Sequence, residues 1–200
     1  MLLRIWLPDR PGALGLVASR IGALRGDIVG VEVLERDQGT AVDEVAVVLP
    51  DSELIDLLAG EIEEVDGVSV EEVRRVDAFP DPRLDALDGA ALLVEATSVS
   101  ELHTTLVDQL RREFLADWSA LTGSELLARA GPAPTGEALD ALVSSASTGR
   151  APTDVAVAPL SIHAASVLVG RDGHPLRRLE RAQLAALARV ADRIWMLLES

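Results

Sequence analysis

The apolar residues of the first 80 positions follow two different periods. Alternate residues are apolar over 3–7, and from 14 to 24 the apolar spacing changes to three and four residues. The first period predicts a strand and the second predicts a helix. The same signals predict strands over 28–35, 42–49 and 68–76 and a helix over 51–65. The order strand, helix, strand, strand, helix, strand predicts a four-stranded antiparallel sheet with two helices on one face.

The second half has a longer and less regular pattern. Helices are predicted over 84–115, 137–144 and 176–198, and strands over 117–127, 155–157 and 162–169. Apolar residues at heptad-like spacing in the last helix indicate core packing in preference to a dimer contact. The proline-containing segment 77–83 is typical of a junction. We therefore predict an α+β chain with domains at 1–78 and 98–200 and a linker or connecting helix at 79–97.

Composition excludes several classes of protein. The chain has 200 residues, no Cys, and 33 acidic against 18 basic residues, all of them Arg, for a net charge of -15. This acidity disfavours nucleic acid as a partner. The apolar runs are too short for a membrane helix, and Arg4 and Asp9 come too soon for a secretory signal. We therefore expect no membrane association and a cytoplasmic protein, and the Ala- and Arg-rich, Lys-free composition suggests a bacterial source.

The turn after the first strand carries the strongest functional signal. It reads Asp9-Arg10-Pro11-Gly12-Ala13-Leu14, with a proline suited to a helix start and a glycine that allows close approach. The helix that follows presents free N–H groups and a positive dipole end to a carboxylate. An ordinary helix entry without a ligand explains the same residues equally well.

The loop Asp9–Leu14, together with Gly26-Asp27-Ile28 before the second strand, resembles the ligand loop of an ACT domain. ACT domains are small regulatory modules. The resemblance implies a ferredoxin-like βαββαβ fold, side-by-side pairing into an eight-stranded sheet, and an amino acid held at the interface. It also implies that Gly12 is the key glycine and that Asp27 and Ile28 line the site. Many amino-acid-binding members have Asn where Asp27 stands, so Asp27 either accepts from a ligand ammonium or caps its own loop.

The segment Pro159–Gly170 and the helix 184–198 resemble the end of a GAF domain, and 100–121 is similar to its start. GAF domains are small-molecule sensors. The resemblance implies a small GAF-like α/β domain with a long C-terminal helix. The chain has neither the Lys of the cyclic-nucleotide pattern nor the chromophore Cys of that family. No cofactor is therefore expected.

A search for an enzymatic site finds no catalytic constellation. The histidines, His103, His163 and His174, do not form a zinc or nucleophile motif. Ser161 and His163 share a face of a predicted strand, but no third group or oxyanion hole accompanies them. The acidic residues around the second helix indicate a solvated face, not a metal site. We therefore expect a protein that is not an enzyme, without catalytic or metal-binding residues.

These patterns lead to one main hypothesis and two alternatives. The main one is a homodimeric regulatory protein that binds a small ligand, an amino acid, at the ACT interface and relays the signal through the GAF-like domain. The first alternative is a non-catalytic dimerisation or scaffold module without a small-molecule ligand, acting through a protein partner. The second is an enzyme whose site has no recognisable motif.

Overall fold

The computed structural model describes residues 1–76, 78–79 and 81–200, with the backbone alone at 82 and 83. The chain divides into two compact units, Met1–Pro80 and Asp81–Ser200. Each unit contains a four-stranded antiparallel sheet with helices, so the prediction of an α+β protein is confirmed. The predicted junction includes Asp77 and Pro80, which lie outside the described residues. No helix in the described part of the chain combines the length and apolarity that crossing a bilayer requires.

The first unit has the predicted order of elements. They are β1 (Leu2–Pro8), α1 (Ala13–Ala23), β2 (Asp27–Asp37), β3 (Thr40–Val48), a 3-10 turn (Ser52–Leu54), α2 (Ile55–Glu63) and β4 (Ser69–Arg74). The sheet order is β2-β3-β1-β4, with every neighbouring pair antiparallel. Strands β2 and β4 are therefore the two edges, and β1 and β2 run parallel to each other on either side of β3.

One face of this sheet forms the core of the first unit with both helices. Leu3 and Ile5 point from β1 toward Val17 and Ile21 of α1 and toward Leu58 of α2, and all five are fully buried. Each such side chain stabilises the fold by about 1.5–3 kcal/mol relative to exposure. The core therefore fixes α1, and with it the loop that precedes α1.

The predicted helix over 51–65 begins later than expected. Asp51 accepts a hydrogen bond from the Glu53 N–H at 2.9 Å, and the chain makes a 3-10 turn before α2 starts at Ile55. An acidic side chain that binds the backbone in this way favours a turn over the helix interior. This local competition explains the shorter helix.

The second unit begins with two helices and ends with a long one. Its elements are α3 (Pro82–Val94), α4 (Val99–Glu113), β5 (Trp118–Thr122), β6 (Leu126–Ala130), α5 (Glu137–Ser147), β7 (Val155–Leu160), β8 (Ala165–Gly170) and α6 (Arg178–Leu198). The sheet order is β6-β5-β8-β7, antiparallel throughout. Helices α4 and α6 pack on one face of the sheet, and Leu139 of α5 packs with Trp118 and Leu168 on the other. The heptad-like positions Leu184 and Leu187 lie in the core.

The strands of the last hairpin differ from the prediction. We expected a break at Pro159 and a strand containing Ser161 and His163. Instead β7 continues through Pro159, and residues 161–164 form the turn. Strand β7 is an edge strand, whose outward-facing N–H groups have no partner strand in the sheet, so a proline is tolerated there. Ser161 and His163 are therefore turn residues, and the alternation expected of a strand does not apply to them.

Gly170 provides a test of the packing in the second unit. A Cβ at this position lies 2.1 Å from the Trp118 ring, so Gly170→Ala should destabilise the protein by about 1–3 kcal/mol. Gly123→Ala is the matched control, because its Cβ meets nothing closer than 3.7 Å. Urea unfolding of the two variants measures the difference. Equal stability would contradict the close packing of Gly170 against Trp118.

Candidate functional site

The loop between β1 and α1 is exposed and held by the backbone. The Asp9 N–H donates to the Gly39 carbonyl at 2.8 Å, and the Arg10 N–H donates to the Pro8 carbonyl at 2.8 Å. Gly12 has φ +90°, a conformation that favours glycine, and no atom lies within 4 Å of the place where its Cβ would be. Both the conformation and the open space at Gly12 suit the close approach of a small molecule.

The N-terminus of α1 behind Gly12 is not capped by a side chain. Its first turn contains no acidic residue. Among the hydrogen bonds of the described residues, the amides of Leu14 and Gly15 have no acceptor. Ala13 is buried in the core and Leu14 packs against it, so these two residues contribute backbone and not side chains to the surface. The loop thus presents free donors at the positive end of the helix dipole.

The other two predicted site residues, Asp27 and Ile28, lie at the opposite end of the sheet from the loop Asp9–Leu14 of the same chain. Pro8, at the loop, pairs with Thr40 at the start of β3, whereas Ile28 pairs with Val47 near its end. Val47 lies seven positions beyond Thr40 along β3, which is roughly 24 Å at about 3.4 Å per residue. Asp27 lies one residue further along. A single chain therefore does not bring Asp27 and Ile28 to the loop Asp9–Leu14.

Asp43 is a buried acid that the sequence analysis did not select. It lies in β3 and is only 4% exposed, and its Oδ1 has no hydrogen-bond partner among the described residues. Burial raises the pKa of Asp43, the nearby Arg36 guanidinium lowers it, and the Asp9 carboxylate raises it again. Arg36 Nε lies 3.9 Å from Asp9 Oδ1. An acid among alternating apolar residues was the available signal, but only the strand register shows that Asp43 faces the core.

The edge strand β2 exposes a row of valines. Val29, Val31 and Val33 are 48%, 45% and 37% exposed. A long edge strand with apolar side chains is a surface on which another strand can pair. This edge is next to the hairpin that holds Asp9, so it adjoins the candidate loop.

A groove of about 300 Å³ lies at the far end of the first unit from the loop. The residues that line it are Met1, Val47, Val48, Leu49, Ser52, Ile55, Arg75, Val76 and Phe79. None of the predicted site residues is among them.

Several acids around α2 have structural partners. Glu61 bonds Arg20 at 2.8 Å, Glu71 accepts from Trp6 Nε1 at 2.6 Å, and Glu63 accepts from the Val70 N–H at 3.3 Å. Within 1–76, 78–79 and 81–200, no three His, Asp or Glu residues are arranged to hold a metal ion.

In the second unit, His163 lies between Asp192 of α6 and Glu199, the residue that follows the helix. Its Nδ1 lies 2.7 Å from Asp192 Oδ1, and its Nε2 lies 3.4 Å from Glu199 Oε2. Asp192 also accepts from the Ile162 N–H at 2.8 Å. Although burial alone raises the pKa of Asp192, the bonds from Ile162 and His163 hold it below the usual range. Both ring nitrogens of His163 thus face carboxylates, which suits attachment of the turn to α6.

Trp195 joins this cluster to the second histidine. The His163 ring stacks on Trp195 at 4.1 Å, and the His103 ring of α4 meets the same indole edge-on at 4.1 Å. His103 is 8% exposed, and its Nε2 has no partner among the described residues. Burial lowers the pKa of His103, the neighbouring His163 lowers it further, and Glu199 raises it. The fold therefore favours the neutral form of His103.

Comparisons with known proteins do not assign the chain to a family. No protein-family model matches it, and a search of curated proteins finds no match. One similar solved structure is an unknown protein from Galdieria sulphuraria, 12% identical, covering 96% of this chain and 91% of that one with a TM-score of 0.34. Another is the chromophore-binding domain of Stigmatella aurantiaca phytochrome P1, 13% identical, covering 98% and 77% with a TM-score of 0.30. Scores this low carry no conclusion about fold or function.

The buried histidine predicts a pH-dependent stability. Because its folded pKa is lowered, His103 takes up a proton more readily in the unfolded chain, so its contribution to stability falls as the pH drops below about 6.5. His103→Phe keeps an aromatic ring beside Trp195 and removes the imidazole that takes up the proton. Thermal unfolding between pH 7.5 and about 5.5 should therefore depend less on pH in the variant than in the wild type.

Leu106→Ala is the control for this measurement. Leu106 is a buried neighbour in the same core and has no titratable group, so its substitution should lower stability by a similar amount at each pH. A pH dependence that is the same in His103→Phe and the wild type would contradict the prediction.

Proposed function

We propose that the chain is a regulatory protein whose first unit is an ACT domain that binds an amino acid. The observation that carries this proposal is the uncapped N-terminus of α1 behind the exposed, positive-φ Gly12. The βαββαβ order of the first unit and its four-stranded antiparallel sheet support the proposal, since the resemblance implies a fold of this kind. In this proposal the ligand carboxylate lies against the Leu14 and Gly15 amides, where backbone donors and the helix dipole both stabilise an anion.

The proposed site is completed by a second copy of the chain. A two-fold axis that runs beside the middle of β2, perpendicular to the sheet, pairs this edge antiparallel with its counterpart. The start of one β2 then lies beside the end of the other. Because the loop Asp9–Leu14 adjoins the end of β2, the partner's Asp27 and the partner's Ile28 come close to it. The exposed valines of β2 support this pairing, since they are covered when two edges meet.

The second unit is proposed as a GAF-like domain that reads the state of the first. Its antiparallel sheet carries helices on both faces, which fits this description. A ligand that binds the paired ACT domains more tightly than the separated ones shifts the population toward the pair. In this scheme the protein acts as a cytoplasmic homodimer and passes the signal to a protein partner.

A dimerisation scaffold without a small-molecule ligand is the second candidate function, and the exposed valines along β2 favour it. Pairing through β2 needs no ligand, so the same surface supports association alone. The two functions differ in one measurable property, which is whether a small molecule stabilises the protein.

Amino-acid binding is tested by thermal shift with the twenty standard L-amino acids. At millimolar concentration at least one should raise the melting temperature, because a ligand that binds only the folded state stabilises it. Gly12→Asp should abolish the shift by adding negative charge in front of the free amides. A flat response of the wild type to all twenty would favour the scaffold.

Gly12→Ala is the matched control for the glycine. Both substitutions force a side chain into φ +90° and share a backbone cost of about 1–2 kcal/mol. Only the aspartate adds charge. A loss of binding that is equal in the two variants would show that backbone strain, and not charge at the helix N-terminus, is responsible.

Pairing through β2 is tested with Val31→Lys. A lysine at the centre of this edge places like charges together in the pair and should weaken the dimer at least about 10-fold. Leu57→Lys is the control, because Leu57 is similarly exposed, at 50% against 45% for Val31, but lies on α2. Analytical ultracentrifugation measures both. An unchanged dimer in Val31→Lys, or a wild type that is monomeric at high concentration, would contradict the β2 interface.

A further inference from the structure

Two helices of the second unit, α3 and α6, leave large apolar side chains in solvent. The four large apolar residues that are most exposed in the described part of the chain all lie on these helices. They are Leu87 at 69%, Val94 at 67%, Leu197 at 67% and Leu84 at 54%. Helices α3 and α6 also contact each other within the unit. Apolar exposure that is concentrated on two adjoining elements is typical of an interaction surface.

The outward residues of α3 have the spacing of a helix–helix contact. Leu84, Leu87, Ala91 and Val94, which we call the α3 stripe, follow one another at intervals of three, four and three residues. This is the a and d spacing by which one helix packs along another. All four are exposed, whereas Leu93 on the inner side of the helix lies in the core. The α3 stripe is therefore left over after the core of the unit has formed.

Helix α6 has a second outward stripe, on the side away from the core. The heptad-like positions that include Leu184 pack in the core and are not part of it. Val190 and Leu197 are exposed and stand seven residues apart, with the exposed Arg193 between them and Arg189 beside them. We call these four residues the α6 stripe. It combines apolar side chains with two arginines on one side of the helix.

The charges at the two stripes are opposite in sign. Asp88 and Glu95 are exposed beside the α3 stripe, and residues 84–96 contain no basic residue. The exposed charges of the α6 stripe are Arg189 and Arg193. Within the part of the chain that the structure describes, none of these four side chains forms a hydrogen bond or an ion pair. An acidic, apolar helix side and a basic, apolar helix side are therefore both available on the same unit.

We infer that the second unit binds a second copy of the chain by packing the α3 stripe of each copy on the α6 stripe of the other. A two-fold axis makes this contact twice, so the acids of each α3 face the arginines of the other copy's α6. The exposed leucines and valines are then removed from water. A second copy is favoured over an unrelated protein because the chain itself supplies both halves of the complementary surface. The inference goes beyond the proposed function and does not rest on amino-acid binding.

The test first removes the β2 edge and then measures what association remains. Analytical ultracentrifugation of full-length Val31→Lys should still show a dimer, weaker than that of the wild type, because the helices of the second unit are unchanged. Adding Leu87→Glu should weaken this remaining dimer at least about 10-fold, since it places a charge in the centre of the α3 stripe. Leu57→Glu is the matched control, because Leu57 is also exposed but lies on α2, and it should leave the remaining dimer unchanged.

A charge-reversal set tests the pairing of α3 with α6 directly. In the Val31→Lys background, Asp88→Arg with Glu95→Arg should weaken the dimer about 3- to 10-fold, because arginines then face arginines. Arg189→Glu with Arg193→Glu should weaken it by a similar factor. All four substitutions together should restore the affinity, since they reproduce the opposite charges with the helices exchanged. Recovery of this kind is not expected if the charges act only on the stability of each copy.

The outcomes separate this contact from the β2 interface. A Val31→Lys protein that is monomeric at high concentration would overturn the inference, and a dimeric wild type would then leave the β2 interface standing alone. A remaining dimer that neither Leu87→Glu nor the charge reversals weaken would also overturn it, because the contact must then lie elsewhere. If Leu87→Glu fails to fold, the charge-reversal set decides by itself.

Discussion

The antiparallel pairing of β3 with both β1 and β2 is the constraint on which the candidate site depends. Because β3 lies between them, β1 and β2 run in the same direction and begin at the same end of the sheet. The loop that follows β1 and the residues that open β2 are therefore at opposite ends. Neither a side-chain substitution nor a local movement brings them together within one chain. A site that uses both segments requires a second copy, and the exposed edge of β2 is where antiparallel pairing joins the two ends.

Both units contain buried charges that are paired and, within the described part of the chain, buried polar atoms that are not. In the second, Arg171 bonds Glu180 at 2.9 Å and also the carbonyls of Phe114 and Pro175, while Asp192 is bonded to His163. These groups tie α6 to the turns around it, and their pairing offsets much of the desolvation cost. In the first unit Asp43 lacks such partners at Oδ1. The paired ions have a structural role, whereas Asp43 carries the desolvation cost of a buried oxygen without a partner among the described residues.

The periodicity of apolar residues along the sequence was enough to predict the elements of the first unit. The surroundings of its candidate site residues depend in addition on the pairing register of the strands. Alternation over 3–7 and helical spacing over 14–24 both come from neighbours in sequence, so β1 and α1 were found. Pro159 was misjudged, because whether a proline ends a strand depends on whether that strand lies at an edge. Asp43 was missed for a similar reason. Its burial follows from the strands beside it, and a single acid in an apolar strand does not reveal which face it occupies.

The acidic charge of the first unit also bears on the ligand. Residues 1–80 carry 17 acids and 7 Arg, and screening in physiological salt limits their reach to about 8 Å. Asp9 lies within the loop itself, so its carboxylate repels an anion that the α1 amides alone would attract. A zwitterion reduces this conflict, since its ammonium offsets the repulsion between its own carboxylate and that of Asp9. In the proposed site, the carboxylate of the loop therefore favours a neutral amino acid over an anionic one.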